Sequence, residues 1–233
     1  NVYEQHGLTT FTHDNLVALM RNESFLADPA FVAAVMANAE DDRDADKIWR
    51  LHTCCWAARS ALAVDGDFVE CGTYKGFYAS VMMQYLRFEL QPRQFYLYDP
   101  FAGLPEDWSS ELEREQANPG YQWDGVHRDV LDRFAIYPNV QVTKGIVPEV
   151  FDTVVPERIA FLHLDLNAGA AETAALDRLL PHLSDGAMVV LDDFGRQEQK
   201  DLCKAHLNWW HEHGHGILEL PTGQGLVIYR KNM

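Results

Sequence analysis

Three aspartates stand directly behind short apolar runs: Asp165 after Ile159–Leu164, and Asp192 with Asp193 after Ala187–Leu191. If the two runs are neighbouring strands, three carboxylates gather at one rim. Like charges held together must be protonated, solvated or bridged by a cation. An all-oxygen set favours a hard ion such as magnesium, which keeps waters or substrate oxygens in its shell. Such an ion binds a substrate hydroxyl and lowers its pKa, help that an alcohol needs at neutral pH. Asp165, Asp192 and Asp193 are therefore the expected metal set. The plainer role for Asp193 or Asp192 is to cap a helix over Phe194–Gln199, with Gly195 aiding the turn. His163 precedes Asp165 on the same side of its strand. It is either a general base working near its natural pKa or a satisfied histidine inside the sheet.

A second group lies earlier, in Asp65-Gly66-Asp67-Phe68-Val69-Glu70-Cys71-Gly72-Thr73-Tyr74-Lys75-Gly76. A buried strand, a glycine turn and a helix over Gly76–Arg87 are the usual opening of a nucleotide-type site. Gly72 lets the backbone turn sharply, and the helix presents free N–H groups at its first turn. The spacing is G-x-x-x-G after an acid rather than G-x-G-x-x-G, with Tyr74 where a dinucleotide site needs glycine. Asp99 ends the next strand, Gln94–Tyr98, where an acid accepts hydrogen bonds from both hydroxyls of a ribose. That placement suits any adenosine ligand, NAD included. A turn before Pro100 and a strand–turn–helix with ordinary glycines are the competing explanations.

These residues need a scaffold, and the chain supplies an α/β one. After Phe68 it alternates strands (Gln94–Tyr98, Val140–Thr143, Ile159–Leu164, Ala187–Leu191) with helices over Val126–Tyr137, Ala171–Leu183 and Gln197–His211. Alternation of this kind implies a parallel sheet with right-handed crossovers and helices on both faces. Runs at Ile217–Leu220 and Leu226–Tyr229 around Pro221-Thr222-Gly223 predict a closing antiparallel pair. The amino-terminal part reads as helical. Asp28-Pro29 is a cap and first-turn pair, and Ile48, Leu51, Cys55, Trp56, Ala58 and Leu62 fit one helix face. Residues 1–65 are thus expected as a helical cap and 66–233 as the ligand-binding core.

Bulk properties narrow the partners. The 233 residues are 47% hydrophobic, ample for a core. A net charge of −16 argues against nucleic acid and anionic membranes, whose phosphates would be repelled. No apolar run approaches the roughly 20 residues that span a bilayer. Four cysteines, two of them adjacent, make no disulfide framework, and a reducing cytoplasm is expected.

The pieces together resemble the macrocin O-methyltransferase family (TylF/MycF/NovP type), whose members methylate sugar hydroxyls of natural products. The matching stretches are Gly66–Gly72, Asp99-Pro100-Phe101-Ala102-Gly103-Leu104-Pro105, Leu164-Asp165-Leu166-Asn167 and Val190-Leu191-Asp192-Asp193-Phe194-Gly195, with Arg50-Leu51-His52-Thr53 leading into the first. The resemblance implies a Rossmann-like class I methyltransferase fold, with a mostly parallel seven-stranded sheet and a reversed last strand. It implies S-adenosylmethionine held by Glu70, Gly72 and Asp99, with Thr73, Tyr74, Gly76 and Phe101 alongside. Magnesium would sit on Asp165, Asp192 and Asp193, and Asp165 would be the catalytic base or share that role with the metal. The expected partner is a small hydroxylated acceptor, with a homodimer through the amino-terminal helices suggested by the family. A catechol or phenol acceptor is the nearest variant, and a NAD-dependent oxidoreductase the more distant one. One departure is notable: Asn167 stands where relatives carry a second acid, and an amide cannot act as a base.

Three further features invite roles. Gly120–Gly125 forms part of a long loop, in which Tyr121 and Trp123 are placed to stack on a ring. Gln224 in the last turn is a hydrogen-bond donor for an acceptor. Of His206, His211, His213 and His215, only His211 with His215 stand at i, i+4, Gly214 interrupts that pair, and the group reads as a solvated helix end.

Overall fold

The computed structural model describes residues 10–14, 16–117 and 124–231. It opens on an antiparallel hairpin, β1 (Thr10–His13) and β2 (Leu16–Leu19). Helices α1 (Pro29–Asn38), α2 (Asp42–Asp46) and α3 (Ile48–Ala61) follow. The amino-terminal part is therefore not all helical. Thr10, Thr12, Val17 and their neighbours include β-branched residues, which suit a strand better than a helix. The expected cap of α1 is present: the Asp28 carboxylate accepts from the backbone N–H groups of Ala30 and Phe31, with Pro29 in the first turn.

The core alternates strand and helix: β3 (Asp67–Cys71), α4 (Phe77–Leu86), β4 (Phe95–Asp99), α5 (Glu111–Ala117), α6 (Val126–Phe134), β5 (Val140–Lys144), β6 (Ile159–Leu164), α7 (Gly169–Leu179), β7 (Leu183–Leu191), α8 (Lys200–Glu212), β8 (Leu218–Glu219) and β9 (Gly225–Ile228). The sheet order is β5-β4-β3-β6-β7-β9-β8. The pairs from β5 across to β7 are parallel, and β9 runs antiparallel to β7 and β8. The closing turn forms as expected, with the Leu220 N–H bonded to the Gln224 carbonyl at 2.9 Å.

Strand alternation sorts the core into two layers. Phe68, Leu97, Phe161 and Val190 face α1, α3, α4 and α6; Val69, Tyr98, Leu162 and Leu191 face α7 and α8. The amino-terminal helices share the first of these cores: Phe31, Leu51 and Ala58 pack with Val81 and Met82 of α4. On α3 the buried face differs from the predicted one. Trp56 is 49% exposed, whereas Arg50 is buried. No helix among the described residues is long and apolar enough to cross a membrane.

Candidate active site

Register decides which charged residues meet. Glu70 on β3 pairs with His163 on β6, which pairs with Val190 on β7, two positions before Asp192. Glu70, His163 and Asp192 therefore form one row on the sheet face covered by α3 and α4. His163 Nδ1 lies 3.1 Å from Glu70 Oε2, and its Nε2 lies 3.5 Å from Asp192 Oδ1. Burial by itself would lower the His163 pKa. The Cys54 sulfur, Asp192 and Glu70 around the ring outweigh it and hold the pKa well above its ordinary value. A ring kept cationic donates from both nitrogens. The structure thus gives His163 to the network beneath the site, bonded on both sides.

Arg50 enters this row from α3, 5% exposed. Its guanidinium donates to the Asp192 carboxylate, to the Asp192 carbonyl at 3.0 Å and to Asp193 Oδ1 at 2.8 Å. Asp14, at the tip of the β1–β2 hairpin, approaches Arg50 Nη1 at 3.5 Å. Gln224 donates its amide to Asp192 Oδ1 at 2.8 Å and accepts from the Thr222 hydroxyl at 2.9 Å. Burial would raise both aspartate pKa values. At Asp192 the Arg50, His163 and Gln224 contacts win and the pKa falls well below the carboxylate range, while Asp193 ends above its ordinary value. No helix starts at Phe194, so neither aspartate is a helix cap there. The Arg196 N–H bonds back to the Asp193 carbonyl in a turn, and a short 3-10 turn begins only at Gln197.

Asp165 lies one residue beyond β6, its N–H continuing the ladder to the Cys71 carbonyl at 2.9 Å. Asn167, in a left-handed conformation (φ 55°), donates its amide to Asp165 Oδ1 at 3.2 Å. Burial first, then the nearby Asp192 and Asp193, push the Asp165 pKa well above the usual range. The expected magnesium set can now be judged on its donors. Asp192 has both oxygens engaged and Asp193 shares Arg50, so the cation already present between them is a guanidinium. Among the described residues, the trio whose ligand atoms converge within 4.8 Å is Cys54, His163 and Asp192, not the three aspartates. As arranged, Asp165, Asp192 and Asp193 do not fit a divalent ion.

The ligand space lies above this row, at the carboxyl ends of β3, β4 and β6, where open α/β sheets bind ligands. It is a cavity of about 550 Å³ lined by Glu70, Gly72, Thr73, Tyr74, Asp99 and Asp165, with Arg50, Tyr78, Lys47 and Arg196 farther round. The 72–76 turn is built for close approach. A Cβ on Gly72 would lie 1.9 Å from the Asp165 carbonyl oxygen, and its φ of +93° is left-handed. Asp99 is the cradle of the far end: its two oxygens accept from Tyr74 N–H (2.8 Å) and Phe101 N–H (2.6 Å). Burial raises its pKa to about 6, against the pull of those two bonds. Among the described residues, three buried polar atoms on the cavity wall have no hydrogen-bond partner: Glu70 Oε1, Thr73 Oγ1 and Tyr78 Oη. Buried polar atoms are rarely left so, and these await a polar ligand. Gly76 caps α4 (φ 78°) beneath them. Phe101 is buried and stacks on His127 at 4.8 Å, shaping the wall without facing the cavity as a lining residue.

Sequence reasoning missed Tyr78 and underrated Arg50. Both sit on helix faces that read as apolar. The aspartates below explain the inward turn of Arg50, whereas Tyr78 packs its ring on His163 at 5.2 Å and leaves its hydroxyl unbonded among the described residues. Glu172 was also missed. It accepts from the Leu166 N–H at 3.0 Å and pairs with His206 at 2.6 Å, fixing the 165–167 loop from behind. His215 is not part of a solvated end: it stacks on Tyr229 and accepts the Arg230 N–H at 2.9 Å. Residues 120–123 of the proposed recognition loop lie outside the described residues.

The strand order, the reversed β9 and the acid-lined turn after β3 define a class I methyltransferase fold. Residues 44–217 match the family model described as Macrocin-O-methyltransferase (TylF), and the chain belongs to that family. It is 27% identical over 163 residues to the 8-demethyl-8-(2,3-dimethoxy-alpha-L-rhamnosyl)-tetracenomycin-C 4'-O-methyltransferase of Streptomyces olivaceus, covering 65% of this chain and 62% of that one. It is 25% identical over 161 residues to the mycinamicin III 3''-O-methyltransferase of Micromonospora griseorubida, covering 62% of each. The chain thus spans 62% of the length of both relatives. Among solved structures it is similar to the O-methyltransferase NovP, with a TM-score of 0.65 at 19% identity over 79% of this chain and 81% of that one. The calicheamicin methyltransferase CalS11 superposes with a TM-score of 0.57 at 14% identity, over 90% and 94% of the two chains.

Proposed function

We propose that this chain is an S-adenosylmethionine-dependent O-methyltransferase acting on a hydroxyl of a small molecule, a sugar unit of a natural product. The observation that carries the reading is the cavity wall, where an acid cradle at Asp99 faces three unpartnered polar atoms across a glycine turn. The residues suit the cofactor. Asp99 takes the ribose hydroxyls, Gly72 permits backbone contact, and Glu70 Oε1 and Thr73 Oγ1 accept from its polar end. When bound, the cofactor supplies a methyl group on a sulfonium, activated for attack by an oxygen.

The chain's own part is to hold the acceptor and take its proton. Asp165 is placed to take the hydroxyl proton of the acceptor, whose oxygen would receive the methyl group with S-adenosylhomocysteine as the leaving group. A carboxylate with raised proton affinity suits that task better than an ordinary one. Asn167 orients it, and His163 is a positioning residue beneath. A sugar acceptor is supported by the activities of the two relatives, on a rhamnosyl tetracenomycin and on mycinamicin III.

A calorimetric titration with S-adenosylhomocysteine, repeated with NAD and with Asp99→Ala, tests the cofactor class. Micromolar binding of the first, none of the second and loss in the variant are expected. A folded chain that ignores S-adenosylhomocysteine would sink the reading.

A further inference from the structure

Family relationship suggests a divalent ion on the acids at the ends of β6 and β7, yet these acids are already served. Asp192 is held by Arg50 on one oxygen and by Gln224 on the other, and Asp193 accepts from the same guanidinium. Arg50 is positioned by α3, which packs against β6 and β7, and not by a surface loop. Among the described residues its Nε has no partner, so the side chain is held through its two terminal nitrogens, by Asp192, Asp193 and, at 3.5 Å, Asp14. The fourth position that could have contributed an acid, after Asp165, holds Asn167, whose amide points a donor at Asp165 Oδ1. A donor directed at a carboxylate competes with a metal for the same lone pair.

We propose that Arg50 is the resident cation of this site and that the chain transfers methyl groups without a divalent metal. The proposal rests on the methyl-transfer reading above. Arg50 acts as a positioning residue: it neutralises Asp192 and Asp193 so that Asp165, beside them, is left as the single carboxylate that exchanges a proton with the acceptor. A guanidinium does this with fixed planar geometry and cannot dissociate, whereas a hydrated ion exchanges with solvent. Removing the cation shared by the two buried acids leaves only His163 on Asp192 and Arg196 on Asp193 to oppose their repulsion, and a small divalent ion then becomes a ligand for them.

The test uses the full chain, stripped of metal by a chelator. Manganese binding is followed by electron paramagnetic resonance, and methyl transfer to a glycoside panel is measured with and without magnesium. Wild-type protein is expected to bind no manganese below about millimolar and to turn over within about twofold of its magnesium-supplemented rate. Arg50→Ala should lose about 100-fold or more in kcat, as removal of a preorganised cationic group does. The same variant should gain a manganese signal. Arg50→Lys, which keeps the charge, should fold where Arg50→Ala fails and should recover part of the rate with a shifted pH profile. Micromolar manganese on wild type, or chelator inactivation reversed by magnesium, would overturn the proposal. The manganese titration needs no turnover. Failure of the methyltransferase reading itself would show separately, as a folded chain that does not bind S-adenosylhomocysteine.

Discussion

Asp99 and Asp165 are both buried acids with raised pKa values, but their surroundings give them different work. Asp99 has a backbone donor on each oxygen and titrates near 6. Below that value it is protonated and loses acceptor capacity, so affinity for S-adenosylhomocysteine should fall by up to about tenfold for each pH unit below 6. Calorimetry across pH 5 to 8 reads this, and Asp99→Asn should flatten the profile. The stability linkage runs the other way. Because the folded pKa exceeds 3.8, ionising Asp99 costs native stability, and its contribution is lost as pH rises from about 4 through 6. Among the described residues no backbone N–H is bonded to the Asp165 carboxylate, and its charge is opposed by two neighbouring acids. Asp165→Asn is expected to lower kcat by about 10²–10⁴-fold while leaving cofactor affinity nearly unchanged. Steady-state kinetics beside calorimetry separates the two effects, and equal loss in both would remove Asp165 from the proton-transfer role.

At the scale of elements, the loops that carry the chemistry are pinned by side chains from other elements. The α7 helix begins after Ala168, which has no side chain able to cap it. The cap comes instead from α5: Glu113 Oε1 accepts the Gly169 N–H at 3.0 Å, tying the segment after β4 to the wall at Ala168 and Ala171. Glu113→Ala should cost about 1 kcal/mol of stability, the usual worth of a helix cap, and raise KM for the acceptor more than it lowers kcat. Denaturant unfolding and kinetics check both halves. The turn after β3 tolerates less. Gly72→Ala would drive a methyl into the Asp165 backbone at a left-handed φ, so it should destabilise by about 3 kcal/mol or more and abolish cofactor binding. A Gly72→Ala protein with normal melting and normal affinity would show that the close approach of β3 and β6 is not needed.

For the whole molecule, the sheet separates two cores, and the thiols report on both. Cys54 and Cys55 are buried on α3 and Cys71 on β3, while Cys203 is partly open on α8. Burial raises the pKa of each of the three buried thiols. A thiol reagent should therefore titrate about one cysteine in native protein and all four after denaturation; rapid reaction of three or four in native protein would contradict the packing. The sequence by itself determined the alternation of strand and helix, the acids at strand ends and the glycine turn, because each is written in local spacing. Strand periodicity and turn chemistry act between near neighbours and need no tertiary context. It also supplied the family resemblance that the match over residues 44–217 bears out. The β1–β2 hairpin escaped because its residues make no strong local pattern, and the inward turn of Arg50 escaped because an arginine on a helix reads as solvated. Only the register of β3, β6 and β7 lines up Glu70, His163 and Asp192 under α3, and only that buried row of charge makes it favourable for Arg50 and Gln224 to point inward.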